Sequence, residues 1–147
     1  MTTSNIEQFD EITGQLLGKL YENFPVPCRL LIKDFVADGY AMNEHLGVEV
    51  PNDKGDFFLS SVDWLANAGY LQFHEKIHNF GYQGAVLTAK GLETLKATPE
   101  SLQSGQTLGE KLVDASKGGA KEVMRGLVGE ILSLGTRIAS GHFGLPS

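Results

Sequence analysis

The chain has 147 residues, of which 41% are hydrophobic, 20% charged and 9% aromatic, and its formal net charge is -6. That composition fits a folded domain with an appendage and excludes a disordered chain. The acidic balance argues against indiscriminate binding to phosphates, which needs Lys and Arg to displace counterions. A single cysteine, Cys28, excludes a disulfide framework and a multi-cysteine metal site, and suits a reducing, cytoplasmic compartment. No apolar run approaches the roughly 18 residues of a spanning helix. The longest candidate, 126–141, is broken by Glu130 and Arg137, and Met1 to Asp10 lacks the basic and apolar runs of a secretory signal. No membrane association is expected.

Composition changes at Thr98-Pro99. Residues 1–98 hold 7 basic and 13 acidic residues and the whole net charge, whereas residues 99–147 hold 5 of each and 9 of the 18 glycines. Pro99 disfavours helix at Thr98. The division is therefore a domain over 5–98, a linker over 99–107, a glycine-rich helical extension over 108–140 and a tail over 141–147.

In chain order, a first helix starts at Ser4 or Asn5, with Glu7 three residues after Ser4 as in a capping box. Ile6, Phe9, Ile12, Leu16, Leu17 and Leu20 form its apolar stripe, and Pro25 and Pro27 stop it near Phe24. Leu30, Leu31, Phe35 and Val36 suggest a second helix, ended by Asp38-Gly39. Residues 40–56 read as a long connection with one turn of helix near Asn43–Leu46. A third helix is capped by Ser60 or Ser61, carries Val62, Leu65 and Ala66 with Trp64 beside them, and ends at Gly69. The period then changes to about 2. Tyr70–His74 reads as a strand, Asn79–Gly84 as a hairpin turn and Gln83–Thr88 as the returning strand. Thr88 caps a fourth helix carrying Leu92 and Leu95.

Two runs in this order, Val62-Asp63-Trp64-Leu65-Ala66-Asn67-Ala68-Gly69-Tyr70-Leu71 and Val86-Leu87-Thr88-Ala89-Lys90-Gly91-Leu92-Glu93-Thr94-Leu95, resemble a recognition helix turning into a wing and a wing strand entering the next helix. Over Ile6 to Ala97 the chain resembles the winged helix-turn-helix superfamily. The resemblance implies an α+β fold of three helices, a two-stranded wing and a following helix. It also implies a third helix that presents polar side chains to the major groove. The side chains available for that role are Ser60, Ser61 and Asn67 on the third helix, Lys76 on the wing, and Arg29 and Lys33 on the second helix. From Asp56 to Tyr70 there is no Lys or Arg, so the supply of phosphate contacts is thin and DNA binding is disfavoured against a protein-interaction role.

From Leu108 a helical pattern resumes through Leu112, Ala115, Gly119, Val123, Leu127, Ile131, Leu134 and Ile138, forming one helix or two. Each interior glycine costs about 0.5–1 kcal/mol against alanine, so packing must compensate. Small residues allow close helix approach. Leu112, Gly119, Val123, Gly126, Leu127 and Ile131 are therefore expected to form a face for a partner protein or a second copy of the chain.

Catalytic chemistry finds no constellation. His74 and His78 are four apart but lie on a predicted strand and turn, with His45 or His142 as distant third ligands. Cys28 has no histidine near it in sequence. The 104–111 glycines lack the lysine ending of a phosphate loop, and 52–55 lacks the acid spacing of a calcium loop. The expectation is a non-enzymatic, cofactor-free interaction or regulatory module that associates through its C-terminal helix. The alternative is a sequence-specific DNA-binding regulator.

Overall fold

In a computed structural model, residues 4–99 and 105–143 are described, with side chains to residue 138. The linker residues 100–104 and the tail residues 144–147 lie outside them. Ser4 caps helix α1 (Asn5–Asn23), accepting from the Glu7 N–H while the Glu7 carboxylate accepts from the Ser4 N–H. The expected box is thus formed, and the apolar stripe delivers Leu16, Leu17 and Leu20 to the core.

The expected second helix is largely a strand. Cys28–Leu31 forms β1, and only Ile32–Phe35 is helical (α2). Leu30 and Ile32 are buried while Arg29 and Lys33 are exposed, a period of 2 that the apolar pairs at Leu30-Leu31 and Phe35-Val36 disguise. Backbone pairing with a later strand decides the outcome, and Phe35 then stacks on Phe58, with ring centroids 5.3 Å apart.

The long connection is a hairpin, β2 (Tyr40–Asn43) with β3 (Val48–Pro51), and not a loop with a helical turn. Asn52 then caps α3 (Asp53–Asn67), accepting from the Lys54 and Gly55 N–H groups while its amide donates to the Asp38 carbonyl, so one side chain joins hairpin base to helix start. The helix therefore begins well before Ser60 and Ser61, neither of which caps it. Asn52-Asp53-Lys54-Gly55 looks like a turn in sequence. Gly55 is tolerated in the first helical turn because any Cβ there would run into the Gly39 carbonyl.

Beyond Gly69 (φ 92°) come β4 (Leu71–Gln72), β5 (Glu75–Ile77) and β6 (Gly81–Leu87). Both β4 and β5 pair antiparallel with β6, so they are two parts of one arm, and the turn between the arms is shorter than expected. Strand order is β1-β6-β4, with β6 central. Thr88 caps α4 (Ala89–Lys96) by accepting from the Gly91 N–H, and its hydroxyl donates to the Gly69 carbonyl. The fold is α+β, with a small antiparallel sheet among helices.

The C-terminal segment is two helices, α5 (Leu108–Gly118) and α6 (Lys121–Phe143). Gly119 separates them in the left-handed conformation (φ 70°) that glycine adopts at no steric cost. The second helix continues past 140 into the expected tail. Both helices belong to the same core as the first 98 residues: Leu108, Leu112, Met124, Val128 and Ile131 are buried in one cluster with Leu16, Leu20 and Leu95. The Leu108 N–H donates to the Ala97 carbonyl, and Tyr21 and Thr107 share a hydroxyl–hydroxyl hydrogen bond of 3.1 Å. Arg125 meets Glu11 at 2.8 Å, and Lys117 pairs with Glu22. Lys117 of α5 and Lys121 and Arg125 of α6 thus face acids of α1.

The glycines of α6 divide into two kinds. Gly135 is buried where the Tyr70 ring comes in, and a Cβ would overlap that ring; the Tyr70 hydroxyl donates to the Leu132 carbonyl at 3.2 Å. Gly126 is exposed with open space around it. Gly135→Val is therefore expected to lose about 2 kcal/mol through overpacking, while Gly126→Ala gains about 0.5–1 kcal/mol through helix propensity. Urea unfolding of both variants checks the contrast.

Candidate interaction surface

The residues expected to read DNA are not brought together as a basic face. Lys76, on β5, lies 2.9 Å from Asp63 of α3 and above the Tyr82 ring, so its charge is matched by the helix it was to assist. Ser61 is 4% exposed and its Oγ donates to the Phe57 carbonyl, which removes it from any base-reading role. Ser60 and Asn67 are exposed on α3. Arg29 is exposed on β1, where its carbonyl accepts from Lys19, and Lys33 is exposed on α2. The start of α3 adds one cation, Lys54, beside two further exposed acids, Asp53 and Asp56.

The expected partner face on the C-terminal helices is also corrected. Leu112, Leu127 and Ile131 are 0%, 7% and 0% exposed, because that stripe packs within its own chain. Gly119 is the break between helices, and of the six only Gly119, Val123 and Gly126 stay exposed. The stripe was read correctly as apolar; α1, with Gly14 and Gly18 opening its surface to Leu112 and Met124, is what covers it.

One apolar surface left uncovered lies between α1 and α3. Ile6, Phe9, Phe57 and Trp64, with Asn5, Ser60 and Ser61, line a groove of about 410 Å³. Ile6 is 70% exposed and Trp64 51%. The Phe9 and Trp64 rings meet edge to face, 5.4 Å apart at 87°, which holds the indole in place. The buried face of α3 is Phe58, Ser61, Val62 and Leu65. Trp64 lies about 100° away from Leu65 around the helix, so the sequence carried the signal: a large apolar residue off the core stripe. Ile6, about two turns before Thr13, the first buried residue of α1, is a second such signal.

A neighbouring cleft of about 420 Å³ mixes charged and polar residues, Gln8, Glu11, Asp38, Lys54 and Lys121 among them, with apolar ones such as Ile12 and Phe35, and its Glu11 is already paired with Arg125 and Lys121. His45, His74 and His78 are exposed on separate turns and strands. Among the described residues no three His, Cys, Asp or Glu side chains gather as metal ligands would, and no helix is long and apolar enough to cross a membrane. The side chain of His142 lies outside the described residues. Cys28 is half-buried, and burial pushes its thiol above the ordinary value despite the opposing effect of Lys19, the direction opposite to that of an activated nucleophile.

Under α3, the Tyr82 hydroxyl lies within donating distance of the Leu59 carbonyl (2.7 Å) and Asp63 Oδ1 (2.8 Å). This cluster fixes strand β6 against the helix that carries Trp64. Comparison with protein-family models, curated proteins and solved structures returned no match.

Burial, followed by the hydrogen bond and charge of Asp63, pushes the Tyr82 hydroxyl far above its ordinary 10.0. The fold therefore favours the neutral phenol. Its stabilising contribution is complete below about pH 10 and is lost as pH rises above the unfolded value. Alkaline titration is expected to show phenolate absorbance at 295 nm from Tyr82 only together with loss of helical circular dichroism. Tyr82→Phe should move that unfolding to higher pH.

Proposed function

We propose that the chain is a non-enzymatic, cytoplasmic winged-helix interaction or regulatory module that binds a protein partner through the groove between α1 and α3. The winged-helix part of this reading is supported by the order α1-β1-α2-α3-β4-β6-α4 and by the strand order β1-β6-β4, with the β2–β3 hairpin inserted between α2 and α3. The observation that carries the interaction role is the half-exposed Trp64 on the outer face of α3, over a groove with almost no polar lining. Contiguous exposed apolar surface with an aromatic anchor is the usual mark of a protein-binding site. In this reading the helix that lies in the major groove in winged-helix regulators instead presents an apolar surface edged by acids.

DNA binding is the second reading, favoured only by that element order. Site-specific photo-crosslinking in cells separates the two. A crosslinker at position 64 is expected to give a discrete protein adduct, and one at position 126 on α6 none. Mobility shifts on genomic fragments are expected to be absent even at low salt. An adduct from 126 but not 64 returns the partner face to the C-terminal helix. A salt-sensitive, sequence-selective shift lost in Lys76→Ala overturns the interaction reading in favour of DNA.

A further inference from the structure

The groove has a chemistry around it as well as within it. Along α3, Asp53, Phe57, Ser60 and Trp64 follow steps of four, three and four, so Asp53 continues the groove-lining face toward the helix start. Asp56 is one turn from Ser60 on the exposed flank. On α1, Asp10 follows Ile6 by four residues, and exposed Glu7 is next to Ile6 in sequence. Lys54, in the first turn of α3, lies with Lys121 in the neighbouring cleft, which Phe57 also lines. Asp63 is matched by Lys76, but no described salt bridge pairs Asp10, Asp53 or Asp56 with a cation. The Asp10 carboxyl is held above its ordinary value, first by burial and then by the nearby Glu11 and Glu7, against the lowering effect of Arg125.

An uncharged apolar floor between two helices, edged by acids, restricts what can cover it. A second copy of the chain related by a two-fold axis would set this acidic edge against itself, in a molecule that already carries a charge of -6. A small polar ligand would find few hydrogen-bonding groups, since Ser61 is already engaged. The site lies between helix surfaces, away from the strands of the sheet, so an added β-strand is not the matching mode.

We infer that the groove receives an amphipathic helix of another protein, seated by bulky apolar side chains over Trp64 and Ile6 and flanked by Lys or Arg facing Asp10, Asp53 and Asp56. This rests on the groove being the interaction surface, and it adds the partner's charge and form.

The test uses the full chain and a displayed library of helical peptides about 18 residues long, selected on the wild type and counter-selected on Trp64→Ala. Enriched peptides are then synthesised with their basic flanks intact or changed to Glu. Binding is followed by fluorescence anisotropy at about 25 mM and about 300 mM salt. The expected result is an apolar heptad-like face with basic flanks, at least about tenfold weaker binding for the Glu-flanked versions, and weaker binding at higher salt. The joint substitution Asp10→Asn, Asp53→Asn and Asp56→Asn, shown folded by circular dichroism, is expected to abolish the charge preference while keeping the apolar contact. Enrichment of neutral or acidic peptides that still need Trp64 overturns the charge inference and leaves the interaction surface standing. No Trp64-dependent enrichment overturns both. Concentration-dependent dimerisation lost in Trp64→Ala overturns the inference in favour of a second copy.

Discussion

The packing of α1 against α5 and α6 is the contact on which the other features depend. One face of α1 supplies Leu16, Leu17 and Leu20 to a core shared with α3 and the sheet, and Gly14 and Gly18 open its surface to Leu112 and Met124. Without the C-terminal helices that surface would face water, and burying a side chain of this kind is worth roughly 1.5–3 kcal/mol. Glu11 and Glu22 of α1 meet Lys117, Lys121 and Arg125 along the same seam. The composition shift at Pro99 thus marks two complementary halves of one core, and part of the negative charge of the first half is answered by cations of the second.

This packing also determines which apolar surface remains. Once Leu112, Leu127 and Ile131 are consumed internally, the exposed apolar side chains concentrate elsewhere, and Ile6 and Trp64 flank one groove. Strands β5 and β6 support that groove from behind: Tyr82 and Lys76 both engage Asp63, on the turn of α3 that also carries Trp64. The helix is held by the sheet on one side while its indole stays at the surface.

Much of this was legible in the residues. Ser4 and Glu7 mark the start of α1, Thr88 caps α4, and the stripe from Leu108 shows which side of α5 and α6 is apolar. Three features were hidden for physical reasons. Strand β1 is only four residues long, and its alternation is masked by apolar neighbours, so long-range pairing with β6 decides its state. The hairpin at Tyr40–Pro51 has exposed apolar residues on a mostly solvated ribbon, Met42 and Val48 among them, so it carries no core pattern. The destination of the C-terminal stripe could not be read, because an apolar face looks the same whether it docks on its own chain or on another.

The central claim is that Trp64, the sole tryptophan, stands open in the isolated chain within acidic surroundings. Collisional quenching of its fluorescence by caesium and by iodide, across a range of protein concentrations, tests this most directly. Ready quenching is expected at every concentration, with the constant for caesium, each taken relative to free tryptophan amide, exceeding that for iodide. Shielding that grows with concentration, or a larger relative constant for iodide, would contradict it.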